Sequence, residues 1–274
     1  MQLGRRRHAT AVAVAVIGGL LGTAPGAAAA PDVPGSAGTA ARDLQTAGPV
    51  PPVWPRPQVL RATGPAVPLG EDVTLLAAPD ADPDAVRTVR EALRAAGVRT
   101  VHTELPGRGT VLRLGGSGAF DALRALRVPE RADLPAGGYR IGTGRVDGRH
   151  TVAVDGVGAD GLFHGAQTLR QLVGDRAVPG VAVRDWPGTA VRGVTEGFYG
   201  RPWSHRQRLE QLDFMGRTKQ NRYLYAPGDD PFRQTRWRDP YPAAQRAEFR
   251  ELAERARRNH VTLAWAVAPA QSMC

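Results

Sequence analysis

Apolar positions along this chain change their spacing several times, and each change marks an element. Val73-Thr74-Leu75-Leu76-Ala77 is an almost unbroken apolar run and predicts a strand. Asp82-Pro83 supplies an N-cap and a proline at the first helical position. Val86, Val89, Leu93 and Ala96 then recur on one helical face until Gly97 ends the pattern. Short β runs are predicted at 98–103 and 110–114, and a helix over 118–126. Tyr139-Arg140-Ile141 and Thr151-Val152-Ala153-Val154 predict a hairpin-like pair, with Asp147-Gly148 in the connection. Leu162, Ala166, Leu169 and Leu172-Val173 mark another amphipathic helix, and 181–189 reads as a short connection.

From Arg192 the pattern becomes regular. The apolar run 192–196 breaks at Gly197, Phe198 and Tyr199 follow, and Gly200 and Pro202 stop the strand. Ser204, with Gln207 three residues on, is a capping box for a helix to Thr218 with Leu209, Leu212 and Met215 facing inward. A strand at 222–226 leads into a loop holding Asp229-Asp230, Trp237 and Pro240-Tyr241-Pro242. A helix to Asn259 buries Phe249, Leu252, Ala253 and Ala256, and a strand is predicted at 261–267. Near-continuous apolar strands alternating with helices indicate a parallel sheet under helices, with the motif-bearing loops after the strands. Three such strands do not close a barrel, so either the sheet is open or the sequence is part of a longer one. At the carboxyl ends of parallel strands a ligand can approach the backbone of Gly197 closely, and its carbonyl is a usable acceptor. A structural turn with core aromatics is the competing reading.

Ahead of this, Arg5, Arg6, Arg7 and His8 precede the apolar stretch 11–21 and small residues at 26–30. This predicts an export signal over 1–30 and a secreted protein, with a retained membrane anchor as the alternative. Residues 31–57 are rich in Pro, Gly and Ala and read as a linker. The domain reading is then 58–186 for a mixed α/β domain and 187–274 for the regular strand–helix part. Of the 274 residues 42% are apolar, enough for a sizeable core. The net charge of +10 invites a nucleic-acid reading. It is rejected because the arginines are scattered through helices that also carry acids, with no basic block interleaved with aromatics. Cys274 is the single cysteine, which excludes an intrachain disulfide and a cysteine zinc cluster; no metal or cofactor is expected. Gly115-Gly116-Ser117-Gly118 lies between a strand and a helix but lacks the spacing of a phosphate loop or dinucleotide fingerprint, so a plain turn is expected.

The run Gly193-Val194-Thr195-Glu196-Gly197-Phe198-Tyr199-Gly200-Arg201-Pro202-Trp203 closely resembles the start of the catalytic barrel of glycoside hydrolase family 84. These are the β-N-acetylglucosaminidases, including O-GlcNAcases and enzymes labelled hyaluronidase. The resemblance continues through 221–231 and 237–242, and weakly through 265–269. Upstream, Asp160-Gly161-Leu162-Phe163-His164-Gly165-Ala166-Gln167-Thr168-Leu169 resembles the end of the α/β domain that precedes the barrel in this family and in family 20 hexosaminidases. The resemblance implies a family 20-type α/β domain followed by the first three βα units of a TIM (β/α)8 barrel.

The implied activity is retaining removal of terminal β-linked N-acetylglucosamine, in which the substrate's own acetamido oxygen attacks and an oxazoline forms. Two adjacent aspartates after the fourth strand would orient the acetamide and act as acid and base. That strand lies beyond Cys274, so the catalytic residues are not in this chain and residues 1–274 alone are expected to be inactive. Asp229 and Asp230 follow the second strand and are read as shaping the loop. Gly197, Tyr199, Gly228 and Asp229 are the candidate substrate-binding residues. Gly228 stands where many relatives carry a lysine, a lost donor worth roughly 1–3 kcal/mol. Arg201, Trp203 and Trp237 either line the sugar site or brace loops, and His205 is expected to be solvated. The partner is a glycan carrying N-acetylglucosamine, with no nucleic acid and no membrane after signal cleavage. A carbohydrate-binding protein without catalysis, and a hydrolase of longer glycosaminoglycans such as hyaluronan, are the alternatives.

Overall fold

The computed structural model describes residues 49–105, 107–130 and 133–269. The export signal read at 1–30, most of the linker, and Cys274 lie outside them.

Seven strands form the first sheet: β1 (Val59–Pro68), β2 (Asp72–Ala77), β3 (Thr100–His102), β4 (Thr110–Leu114), β5 (Tyr139–Val146), β6 (Arg149–Gly156) and β7 (Ala177–Asp185). Their order is β1-β7-β5-β6-β4-β2-β3. The run from β6 to β3 is parallel, and β1, β7, β5 and β6 pair antiparallel. Helices α1 (Pro83–Ala95) and α3 (Gly158–Leu172) bury Val89, Leu93, Phe163 and Leu169 against Val73, Leu75, Leu112 and Val154. Helix α2 (Gly116–Ala125) puts Ala122 and Leu123 with Val128 and Ala153 in a separate cluster. The β5–β6 hairpin turns at Asp147 and Gly148, both at positive φ (50° and 74°), as its Asp-Gly pair predicts.

Two expectations are corrected, and one strand is added. Residues 181–189 are no mere connection: Val181 and Val183 belong to β7, which is hydrogen-bonded on both sides and buries Val178 as well. Pro179 and Gly180 interrupt the alternation that would have announced the strand. For the same reason β1, with Gly64 and Pro65 inside it, was not predicted; it tolerates them as an edge strand whose register shifts on both sides of Gly64. The linker does not extend to residue 57. Val53 is 6% exposed within the first core. The Gln171 side chain clasps Trp54, accepting from its N–H at 2.8 Å and donating to its carbonyl at 2.9 Å.

A second sheet holds β8 (Gly193–Glu196), β9 (Arg222–Tyr225) and β10 (Thr262–Trp265), all parallel and in sequence order, with Gly193, Arg222 and Thr262 level. Helices α4 (His205–Arg217) and α5 (Ala243–Arg258) connect them, and Leu212, Met215, Tyr223, Tyr225, Leu252 and Ala256 form the core beneath. Both halves of the Ser204/Gln207 capping box are made.

Helices α4 and α5 end alike. After the cap residues Thr218 and Asn259, Lys219 and His260 take the left-handed conformation (φ 59° and 56°) that usually selects glycine. Each sends a cation to the first sheet's elements. Lys219 Nζ donates to Asp185 Oδ2 at 3.0 Å and to the Tyr139 hydroxyl at 2.6 Å, and that hydroxyl donates to Asp185 at 2.7 Å. His260 bonds Asp160 through Nδ1 (2.7 Å) and Asp82 through Nε2 (3.2 Å), with its ring stacked on Phe163 at 4.2 Å. Burial alone would depress the imidazole; its bonds to Asp160 and Asp82 outweigh this and raise its pKa to about 9.

Candidate functional site

The carboxyl ends of β8, β9 and β10 carry the loops singled out in the sequence. Gly228 N–H donates to the Phe198 carbonyl at 3.1 Å, and Gly200 N–H donates to Asp229 Oδ2 at 3.0 Å. The turn after β8 and the turn after β9 are therefore laced together, which brings Gly197, Tyr199, Gly228 and Asp229 to one rim. Tyr199 is 83% exposed there, and Asp229 is exposed beside it. Gly197 is not the conformational hinge: the left-handed residue of the turn is Gly200, at φ 94°. The Gly197 carbonyl accepts no hydrogen bond among the described residues and is left open at the rim. At Gly228 the glycine matters through space. A β-carbon there would lie 2.6 Å from Tyr199 Cδ1, so the tyrosine ring occupies the room a side chain at 228 would need.

The two neighbouring acids are not free. Glu196, at the end of β8, is fully buried. It accepts a two-pronged contact from Arg208 (2.9 and 2.8 Å), a hydrogen bond from the Tyr223 hydroxyl and another from Trp203 N–H at 3.2 Å. Asp230 accepts from the Tyr225 and Tyr241 hydroxyls at 2.7 and 2.9 Å and from Phe232 N–H at 2.9 Å. Burial, then the bond to the neighbouring carboxylate, pushes the Tyr223, Tyr225 and Tyr241 hydroxyls well above the ordinary tyrosine range. The oxygens of both acids are taken up by these donors, and Asp230 holds the loop after β9 through Phe232 N–H and Tyr241. Beneath them Tyr225 stacks on Trp265 at 4.0 Å, with Phe249 and Tyr241 edge-on to the same indole.

Trp203 is part of this floor, packed on Phe198 and Tyr223, rather than a rim residue. Trp237 lies under the Arg238 guanidinium at 4.0 Å, and Arg201 is exposed beside the first turn. His205 corrects its expectation: it is half-buried and bonds Glu251 of α5 at 2.8 Å, tying the two helices. The Glu196–Arg208 pair was not found in the sequence. Its signal was an arginine one turn into α4 on the face of Leu212, four residues on, where an apolar residue would be expected.

The domain family described as glycosyl hydrolase family 20, domain 2, matches residues 50–186, and the one described as beta-N-acetylglucosaminidase matches 192–274. The solved structure of CpGH84B superposes with a TM-score of 0.69 at 25% identity, covering 80% of this chain and 37% of its own. Residues 50–186 are a glycosyl hydrolase family 20 domain 2, and with 192–274 they make a family 84-type N-terminal part. CpGH84D shares the fold, with a TM-score of 0.70 at 23% identity over 80% of this chain and 38% of its own. A family 20 exo-β-N-acetylglucosaminidase from Vibrio harveyi also shares the fold (TM-score 0.57, 13% identity, 78% of this chain, 35% of that one). Protein O-GlcNAcase from Rattus norvegicus is 38% identical over 77 residues, 28% of this chain. The match thus spans only 8% of the length of that curated relative. The two domain matches meet where the first sheet gives way to the second, between β7 and β8.

Proposed function

We propose that this family 84-type protein is exported and removes terminal β-linked N-acetylglucosamine with retention, β8 to β10 being the first three strands of a (β/α)8 barrel. The observation that carries this reading is the laced rim at the carboxyl ends of β8 and β9, with an open Gly197 carbonyl beside an exposed tyrosine. In this reading the Gly197 carbonyl accepts from a sugar hydroxyl, Asp229 accepts from another, and the Tyr199 ring borders the pyranose where Gly228 leaves room. The substrate's acetamido oxygen attacks the anomeric carbon, the glycosidic oxygen leaves with a proton, and water then opens the oxazoline. The proton needs a carboxylic acid held protonated near working pH. Glu196 and Asp230 are committed to their donors, so we propose that the acid and its orienting partner come from chain outside residues 1–274.

The intact protein is expected to release the chromophore from an aryl N-acetyl-β-glucosaminide and to be inhibited by a thiazoline mimic of the oxazoline. Saturable mimic binding without release at any pH would favour a carbohydrate-binding role instead. Absence of both binding and release would overturn the reading.

A further inference from the structure

The arginines that look scattered along the sequence do not stay scattered in the fold. Arg87 on α1, Arg170 on α3, Arg217 at the end of α4, and Arg255 and Arg258 on α5 line one cavity of about 360 Å³. Three helices end here, and a cation in the last turn of each is ordinarily explained by the helix dipole, at about 0.3–1 kcal/mol apiece. That accounts for one guanidinium per helix but not for where their charge goes. Arg87 is paired with Asp84 and Glu91, Arg255 with Asp213, and Arg258 with Glu254. Arg170 and Arg217 have no ion-pair or hydrogen-bond partner among the described residues, yet both face the same cavity from different helices.

We propose that this cavity binds the oxyanion of an acidic glycan, a sulfate or carboxylate group, held by the guanidiniums of Arg170 and Arg217. A planar guanidinium presents paired donors that match such groups. Glu91 and Asp213, which also line the cavity, are taken up by Arg87 and Arg255, so the guanidiniums of Arg170 and Arg217 are the part of its charge left uncompensated. Among the described residues no aromatic side chain lines the cavity, so they offer no ring on which a nucleobase would stack. The cavity adjoins the carboxyl ends of α4 and α5, which lead into the amino ends of β9 and β10, at the opposite end of the second sheet from the Gly197 rim. It is therefore an auxiliary site, able to hold an anionic stretch of glycan without touching the reacting sugar. Only the choice of a glycan over other anions rests on the proposed function.

The test is calorimetric titration of the intact protein with a sulfated N-acetylhexosamine tetrasaccharide, its desulfated counterpart, inorganic sulfate and a single-stranded oligonucleotide. The sulfated tetrasaccharide should bind saturably and more tightly than the other three. The double variant Arg170→Gln/Arg217→Gln should weaken it by roughly tenfold or more, while Arg124→Gln, exposed on α2, should leave it unchanged. Equal binding by the double variant overturns the proposal. Sulfate binding as tight as the tetrasaccharide means an adventitious ion only, and tighter oligonucleotide binding means a nucleic-acid surface; both also overturn it. Should the double variant not fold, displacement of the tetrasaccharide by inorganic sulfate on the unaltered protein supports the proposal, and indifference to sulfate contradicts it. Aryl glycoside hydrolysis by the double variant should match the parent, so loss of anion binding and loss of the glycosidase reading remain distinguishable.

Discussion

Glu196 illustrates how a residue beside a candidate active site can be wholly structural. Its carboxylate is buried with Arg208, so removing one partner strands the other charge away from water. Glu196→Ala is expected to cost about 3–5 kcal/mol in urea denaturation. An acid working at the reacting centre would leave stability nearly unchanged on removal, so an unaffected midpoint would refute the structural role. Tyr199 and Gly228 are coupled in a different way, through shared space. Gly228→Ala should change stability by less than about 1 kcal/mol, because the ring it displaces is exposed and free to swing. It should nonetheless raise KM for an aryl glycoside. Gly228→Ala and Tyr199→Ala together should be no worse than either alone, a departure from additivity of about 1 kcal/mol. Strictly additive effects would mean that the two positions act independently.

At the scale of elements, local chemistry wrote the boundaries plainly. Asp147-Gly148 specified its hairpin turn, Ser204 and Gln207 specified the start of α4, and Ser204→Ala is expected to cost about 1 kcal/mol of thermal stability. Elements whose order comes from their neighbours were not legible. Strands β1 and β7 hold Pro and Gly where a self-sufficient strand would not; β7 is held between β5 and β1, and β1 is held on β7. The buried ions were equally silent, since nothing local distinguishes the Lys219 that meets Asp185 from a solvated lysine. Likewise the arginines of α3, α4 and α5 read as scattered because their convergence is tertiary. The rim itself was legible, because its glycines and aromatics lie close together in two short stretches.

Helix ends also carry the pH dependence. His260 has a folded pKa of about 9, above its ordinary 6.5, so its stabilisation is fully present below pH 6.5 and is lost as pH rises through 9. Denaturation midpoints should fall between pH 6.5 and 9 in the parent and lie flat over that window in His260→Gln. An unchanged slope in the variant would assign the dependence elsewhere.

Across the whole molecule, the two sheets are joined by side chains as well as by the β7–β8 connection. Lys219 is the single lysine in the sequence, and it is buried between Asp185 and Tyr139. Burial pulls its pKa below the ordinary lysine value, against the opposing pull of Asp185. Lys219→Ala should cost about 3–5 kcal/mol by leaving Asp185 unpaired. Lys219→Arg should also destabilise, because a planar fork does not fit a site built for a compact ammonium. An amine-reactive reagent should modify the native side chain far more slowly than the unfolded one; equal rates would place the amine in solvent. This joint holds the second sheet by the ends of its helices and leaves the opposite rim open to a ligand. Hydrogen–deuterium exchange of the intact protein with and without the thiazoline mimic tests that placement most directly. The account predicts slowed exchange at 197–200 and 226–230 with little change at 217–221, whereas protection confined to 217–221, or none at the rim, would contradict it.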